Sequence, residues 1–146
     1  MYNENKDMIA YHRPMLIMES SDNKPTFIRG DILVNSTRSN NDKVMNAYKN
    51  VKIYSKDFQG AGDTLIYEST DSTLLIRKNA ILWQDNYEIS GNAIWIFLKN
   101  RKPSQINIFG NSFIANEENA KGHFNQISSD SNNVYFVDGE IDYMFA

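Results

Sequence analysis

The sequence predicts an all-β fold built by repetition, and three observations lead there. One fixed offset of 29 residues relates two stretches of the chain. Asn50 maps to Asn79, Val51 to Ala80, Ile53 to Leu82, Tyr54 to Trp83, Phe58 to Tyr87, Gly62 to Gly91, Asp63 to Asn92, Leu65 to Ile94 and Tyr67 to Ile96. Internal repetition at 20–50 residues marks a stacked architecture. Second, no segment sustains the 3.6-residue apolar period of a helix. Third, nineteen asparagines stand against 7 glycines and 3 prolines. Asparagine tolerates positive φ and turns the chain through its own side chain, so it can punctuate a run of short strands as glycine does.

Taken in chain order, Ala10-Tyr11-His12-Arg13-Pro14-Met15 echoes Ala47-Tyr48-Lys49-Asn50-Val51-Lys52. Arg29-Gly30-Asp31-Ile32-Leu33 then echoes Ala61-Gly62-Asp63-Thr64-Leu65. The clear pair of repeats follows. Downstream, Gly110-Asn111-Ser112-Phe113-Ile114 repeats the strand start, and Asn125–Asp130 resembles Tyr87–Asn92. Polar insertions at 36–43 and 116–122 separate these cores. The reading is about four copies of strand–turn–strand. Residues 134–137, Asp138-Gly139-Glu140 and 141–145 read as a closing hairpin with an Asp-Gly turn. Residues 42–48 and 117–121 are the two places where a single helical turn could form. The expected organisation is one domain over 10–146 with an extension at 1–9. The pattern starts and ends in mid-repeat, which points to a segment of a longer protein.

Composition excludes several functions. Fifteen Lys+Arg against 18 Asp+Glu leave a net charge of −3, with no basic stripe for nucleic acid. The absence of cysteine removes disulfides, thiolate metal sites and thiol catalysis. His12 and His123 lie far apart, so no metal site is expected, and both read as solvated. The longest apolar run, AIWIFL at 93–98, has strand length rather than membrane-spanning length. The N-terminus lacks the pattern of a signal peptide.

Alternate side chains of a strand share a face. Val51 with Ile53, Leu65 with Tyr67 and Ile94 with Ile96 therefore line up in rungs when copies stack. The rungs form a core if two sheet faces meet, and an apolar trough if they splay; the sequence leaves both open. Ile66, Ile81, Trp95 and Phe97 occupy the opposite parity. Their presence predicts central strands covered on both sides, the rival being a face that binds something apolar.

The units Gln59-Gly60-Ala61-Gly62-Asp63-Thr64-Leu65-Ile66-Tyr67, Ala80-Ile81-Leu82-Trp83 and Ile89-Ser90-Gly91-Asn92-Ala93-Ile94 resemble the OstA/LptA-type repeat. From about residue 10 to 145 the chain is similar to OstA-like proteins of lipopolysaccharide transport, related to LptA, LptC and the LptD N-terminal domain. Leu82-Trp83-Gln84 and Phe124-Asn125-Gln126-Ile127 match a diverged branch. The resemblance implies an open β-jellyroll, two antiparallel sheets folded like a taco, with lipopolysaccharide acyl chains in an apolar groove. It also implies a periplasmic setting, end-to-end joining to other Lpt-type domains or to a second copy by edge-strand addition, no catalytic residue and no cofactor. Carried over residue by residue, the groove-lining candidates are Met15, Ile17, Leu33, Val51, Ile53, Leu65, Tyr67, Leu82, Ile94, Ile96 and Ile114. Plain core packing is the competing role for each. Ser112 departs from the family's aliphatic preference, and residues 129–133 lack the aliphatics of a closing strand.

Two other classes compete. A polysaccharide-acting enzyme would draw a carboxylate pair from Asp57, Asp63, Asp71, Asp85 and Glu88. Most of these fall in predicted turns, where acidic residues are routine, and Asp63 falls on the repeat's corner, matched by Asn92. The basic turn Lys99-Asn100-Arg101-Lys102 could touch phosphorylated sugars, although a solvated turn is its simpler role. The third class is a structural or adhesive repeat domain with a closed interior.

Overall fold

A computed structural model describes residues 7–19, 23–38, 41–100, 102–118, 123–138 and 140–146. Eleven strands run in order: β1 (Met8–Tyr11), β2 (Met15–Met18), β3 (Thr26–Arg29), β4 (Ile32–Thr37), β5 (Lys43–Tyr54), β6 (Gln59–Glu68), β7 (Thr73–Gln84), β8 (Tyr87–Lys99), β9 (Lys102–Glu118), β10 (His123–Val137) and β11 (Glu140–Phe145). They form one antiparallel sheet in the order β1-β4-β5-β6-β7-β8-β9-β10-β11, with β2-β3 added to the second half of β5. The sheet is open, with β1 and β2 at one end and β10 and β11 at the other. The all-β jellyroll-like expectation agrees with this architecture.

The long strands are not straight. Each alternate strand carries two consecutive residues with positive φ, or breaks at such a pair. The pairs are His12 (φ 68) and Arg13 (57) between β1 and β2, Lys49 (60) and Asn50 (52) in β5, Lys78 (60) and Asn79 (52) in β7, and Gly110 (71) and Asn111 (51) in β9. The register shifts at the same level, between Tyr48 and Val51, between Arg77 and Ala80, and between Ser129 and Ser131. Two residues thus stand opposite one, which is a β-bulge, and a bulge bends its strand. Asparagine is among the few residues that adopt this backbone at low cost. Asn50 Nδ2 donates to Asp31 Oδ2 at 3.2 Å, and Asn111 Nδ2 donates to Asn92 Oδ1 at 3.3 Å, tying neighbouring bends together. The positions at which the sequence appeared to start new strands are therefore bends within strands.

The bend divides the sheet into two layers. β1, β4, the first halves of β5, β7 and β9 and the second halves of β6, β8 and β10 make one, with β11 at its edge. β2, β3 and the remaining halves make the other. Their apolar faces meet in a single buried cluster that includes Ile28, Ile53 and Leu82 from one layer with Leu65, Ile76, Ile94 and Ile108 from the other. Burial of each such side chain contributes about 1.5–3 kcal/mol. Where the layers converge, only small residues fit. A Cβ added to Gly91 would lie 2.5 Å from Ile108 Cγ2, and one added to Gly60 would lie 2.8 Å from Ile53 Cγ2 and 3.0 Å from Ile76 Cδ1.

Two expectations need correction. Of residues 42–48, all but Asp42 form the start of β5 rather than a helical turn, because Val44, Met45 and Ala47 are buried in a paired strand; the other candidate turn lies partly outside the described residues. The central strands are also not covered on both sides. Ile66, Ile81 and Phe97 remain half-buried and Trp95 is 39% exposed on the outer faces. These side chains pack laterally instead, as in the Trp95–Phe97 stack with centroids 5.7 Å apart.

At one rim, Asp42 fastens the β4–β5 turn to the β6–β7 turn. Its Oδ1 accepts from Thr70 Oγ1 (2.6 Å), Thr70 N (3.1 Å) and Ser69 Oγ (3.4 Å), and Arg38 lies 3.6 Å from Oδ2. Arg38 also reaches Glu68 at 3.2 Å. The Thr70 hydroxyl is the main reason the Asp42 carboxyl is held below its usual range; burial opposes this, and the Thr70 amide, Arg38 and Ser69 add to it.

A group whose folded-state pKa is depressed stabilises the fold above its unfolded value and loses that contribution as pH falls through the folded value. The thermal stability of the wild type is therefore expected to fall on acidification below about pH 4, the ordinary carboxylate value. Asp42→Asn is expected to be less stable at neutral pH and flatter across that window; parallel profiles would refute the contribution. For the bend, Gly91→Ala is expected to cost about 1–3 kcal/mol by overpacking. In urea denaturation, Gly91→Ala/Ile108→Ala should lose less than the sum of its two single variants, since the clash is with Ile108 itself.

Candidate functional site

The space between the layers is the one place where the fold gathers its predicted residues. Strand pairing sets the rungs. On the first layer, Ala10, Leu33, Ala47, Leu65, Ile76, Ile94, Ile108 and Asn132 are successive partners across eight strands. Beside them run Met45, Tyr67, Leu74, Ile96, Ile106 and Val134. On the second layer the rung is Leu16, Ile28, Ile53, Gly60, Leu82, Ile89, Ile114 and Ile127. At about 4.8 Å per strand, an eight-strand rung spans roughly 34 Å.

Of the candidates from sequence, Leu33, Val51, Ile53, Leu65, Leu82, Ile94, Ile96 and Ile114 are buried in this interior, and Tyr67 is half-buried against it. Met15 and Ile17 are not inside. They are 49% and 52% exposed, and their neighbours Leu16 and Met18 pack inward instead. The echo of Ala10–Met15 with Ala47–Lys52 places Met15 with Lys52, an outward residue, so the parity error was correctable from the repeat itself. Sequence reasoning also passed over Leu74, Ile76, Ile106 and Ile108. Leu74 and Ile76 alternate with Thr73, Leu75 and Arg77, a period-two signal that marks β7 as a strand.

The interior is filled. Leu65, Leu82, Ile94 and Ile96 have no exposed surface. At the edge away from the bend, Met18, Thr26 and Phe58 of one layer face Tyr67, Leu74 and Leu98 of the other across a slot of about 50 Å³. That is room for one or two water molecules. Polar groups enter at the C-terminal side, where Asn132 Nδ2 donates to Ser112 Oγ at 2.8 Å, both residues buried. Among the described residues, Asn132 Oδ1 and Gln84 Oε1 are buried without a hydrogen-bond partner. The hydrogen bond explains Ser112: it partners the asparagine that replaces an aliphatic residue on β10.

The carboxylates considered for catalysis are dispersed. Asp57 and Asp85 lie in the β5–β6 and β7–β8 turns, Asp71 lies in the β6–β7 turn at the other rim, and Asp63 lies at the bend. Glu88 accepts from Trp83 Nε1 at 3.2 Å. Among the described residues no group of three or more His, Cys, Asp or Glu could hold a metal. His12 is an exposed bend residue, and the His123 side chain lies outside the described ones.

Among the described residues, the terminal strands leave one backbone edge unpaired. β1 and β2 bound one end of the sheet, with Met8, Ile9, Tyr11, Met15 and Ile17 each at least 49% exposed. β11 bounds the other, where Tyr143 stacks on Tyr135 at 4.5 Å and Phe145 is 61% exposed. Open edges of this kind are templates for another strand.

None of the curated proteins matches the sequence closely enough to count as a relative. A family model described as the LptA/(LptD N-terminal domain) LPS transport protein matches residues 16–102, which span β2 to β8 and the start of β9. That match covers more than half of a chain whose bent, open, apolar-lined sheet has the architecture the resemblance implied, and the chain belongs to the LptA/LptD N-terminal family of lipopolysaccharide transport proteins.

Proposed function

We propose that this domain, residues 10–146, is a non-enzymatic periplasmic carrier that holds lipopolysaccharide acyl chains between its two layers and bridges to neighbouring Lpt-type domains. The observation that carries the reading is the unbroken apolar rung from Leu33 through Leu65 to Ile108, lying between layers that are joined along the bend. An exposed methylene costs about 0.8 kcal/mol in water, so a multi-chain lipid needs continuous shielding during transfer. The slot is too small for a chain in this conformation, so loading requires the rims to part about the bend. Sugars would remain in water beyond the rim. Unpaired backbone at β1, β2 and β11 would then serve for strand addition, to another Lpt-type domain or to a second copy.

Photo-crosslinking groups at Val51, Leu65 and Ile94 are expected to label lipopolysaccharide in cells, while one at the outward-facing Glu88 is not. Labelling at Glu88 alone would refute the interior route. The filled interior favours a second reading, a structural or adhesive domain that binds protein only by strand addition. Under that reading none of the interior positions labels. Assembly is tested separately by light scattering. Mass should rise with concentration, and Ile9→Pro should reduce the rise by removing an amide on edge strand β1; concentration-independent monomers would count against end-to-end docking.

A further inference from the structure

The second layer has an outer face whose chemistry the interior does not use. Met15, Arg29 and Lys52 are successive partners across β2, β3 and β5, and all three are exposed. Arg13 joins them from the bend. Its side chain, with those of Arg29, Asp31, Asn50 and Lys52, lines a cleft of about 390 Å³. The cleft holds three cations and one carboxylate, and Asn50 Nδ2 already donates to that carboxylate at 3.2 Å. Among the described residues no ion pair within 4 Å involves Arg13, Arg29 or Lys52, so three cations face the one carboxylate of the cleft. In a chain with net charge −3, this is a local excess of positive charge.

Two residues further along the same strands, the same face turns apolar. Ile17, Phe27 and Tyr54 are partners in one row. Ile17 and Tyr54 are 52% and 54% exposed, and the Phe27 and Tyr54 rings lie 6.4 Å apart. Beyond them a hollow of about 370 Å³ opens between Ile17, Pro25 and Phe27, with Glu19 and Asn23 completing its wall. Cations beside exposed aliphatic and aromatic side chains match the layering of a lipid surface, with phosphate outermost and apolar chains next.

We propose that this face docks on an anionic lipid surface. Arg13, Arg29 and Lys52 take head-group phosphate, and Ile17, Phe27 and Tyr54 rest at the boundary with the acyl region. The charge complementarity and the adjoining apolar row favour a lipid over a soluble anion, which would use the cleft and leave the row bare. This inference does not rest on the interior carrying lipid, and a blank at the Ile94 photolabel leaves its test unaffected.

The test is co-sedimentation of the full chain with vesicles of phosphatidylglycerol or of phosphatidylcholine. Binding is expected to phosphatidylglycerol alone and to weaken as salt is raised. Arg29→Gln/Lys52→Gln is expected to lose roughly thirtyfold in affinity, at about 1 kcal/mol for each cation near the surface. Ile17→Ser/Tyr54→Ser should weaken binding while keeping the preference for phosphatidylglycerol. All four side chains are exposed, so circular dichroism and thermal unfolding should match the wild type. Equal binding to both vesicles, or unchanged binding by Arg29→Gln/Lys52→Gln, overturns the proposal. So does an NMR titration in which inorganic phosphate shifts the amides of residues 29–31 and 50–52 while vesicles leave the protein in solution, because the cleft is then a soluble-anion site.

Discussion

The structure depends on one backbone constraint: pairs of adjacent residues held at positive φ at the same level of successive alternate strands. At Lys49-Asn50, Lys78-Asn79 and Gly110-Asn111 the chain stays hydrogen-bonded to its neighbours on both sides of the bend while changing direction. A single misplaced bulge would put one strand out of register with the rest, since a one-residue slip exchanges the two faces. With the bulges aligned, every strand contributes side chains to both layers. The core is then the inside of a folded sheet rather than an interface between separately formed sheets.

That geometry grades the interior from bend to rim. Near the bend the layers are close: Gly91, Ala80 and Ser112 sit inward there, and a Cβ on Gly91 would collide with Ile108. Further out, Leu65, Leu82, Ile94 and Ile96 fill the gap, and Phe58 and Leu98 nearly close the rim. Covalent continuity runs through the bend, while contact across the rim is apolar packing. Such an arrangement opens most readily at the rim, because packing there is lost gradually and the bend's paired backbone is kept. The Asp42 network reinforces one rim by joining its own turns to each other.

Much of this was legible in the sequence, and the misses have definite causes. The 29-residue offset located the equivalent bends, and Val51, Ile53, Leu65, Ile94 and Ile96 fell on the interior because alternation within a paired strand fixes the face. Asn50 and Asn79 look like strand starts in the sequence, because an isolated asparagine before an apolar run looks like a turn. Only the pairing on both sides reveals a bulge inside one continuous strand. Apolar character alone puts Met15 and Ile17 inside, but hydrophobicity does not decide parity on a short edge strand. Leu16 and Met18 are equally apolar, and the pairing of Leu16 with Ile28 settles the matter. The outward Trp95 and Phe97 implied a cover that the described chain does not supply, since lateral stacking already removes part of their surface from water.

By itself, the sequence determined the strand content, the period of the repeat and the family, because alternation and glycine–asparagine punctuation are local properties written residue by residue. Only the tertiary structure decided that the layers meet, that the rungs run unbroken across the strands and that Arg13, Arg29 and Lys52 share one cleft. Those facts arise from register between segments distant in sequence, and register is set jointly by all the strands that bend together.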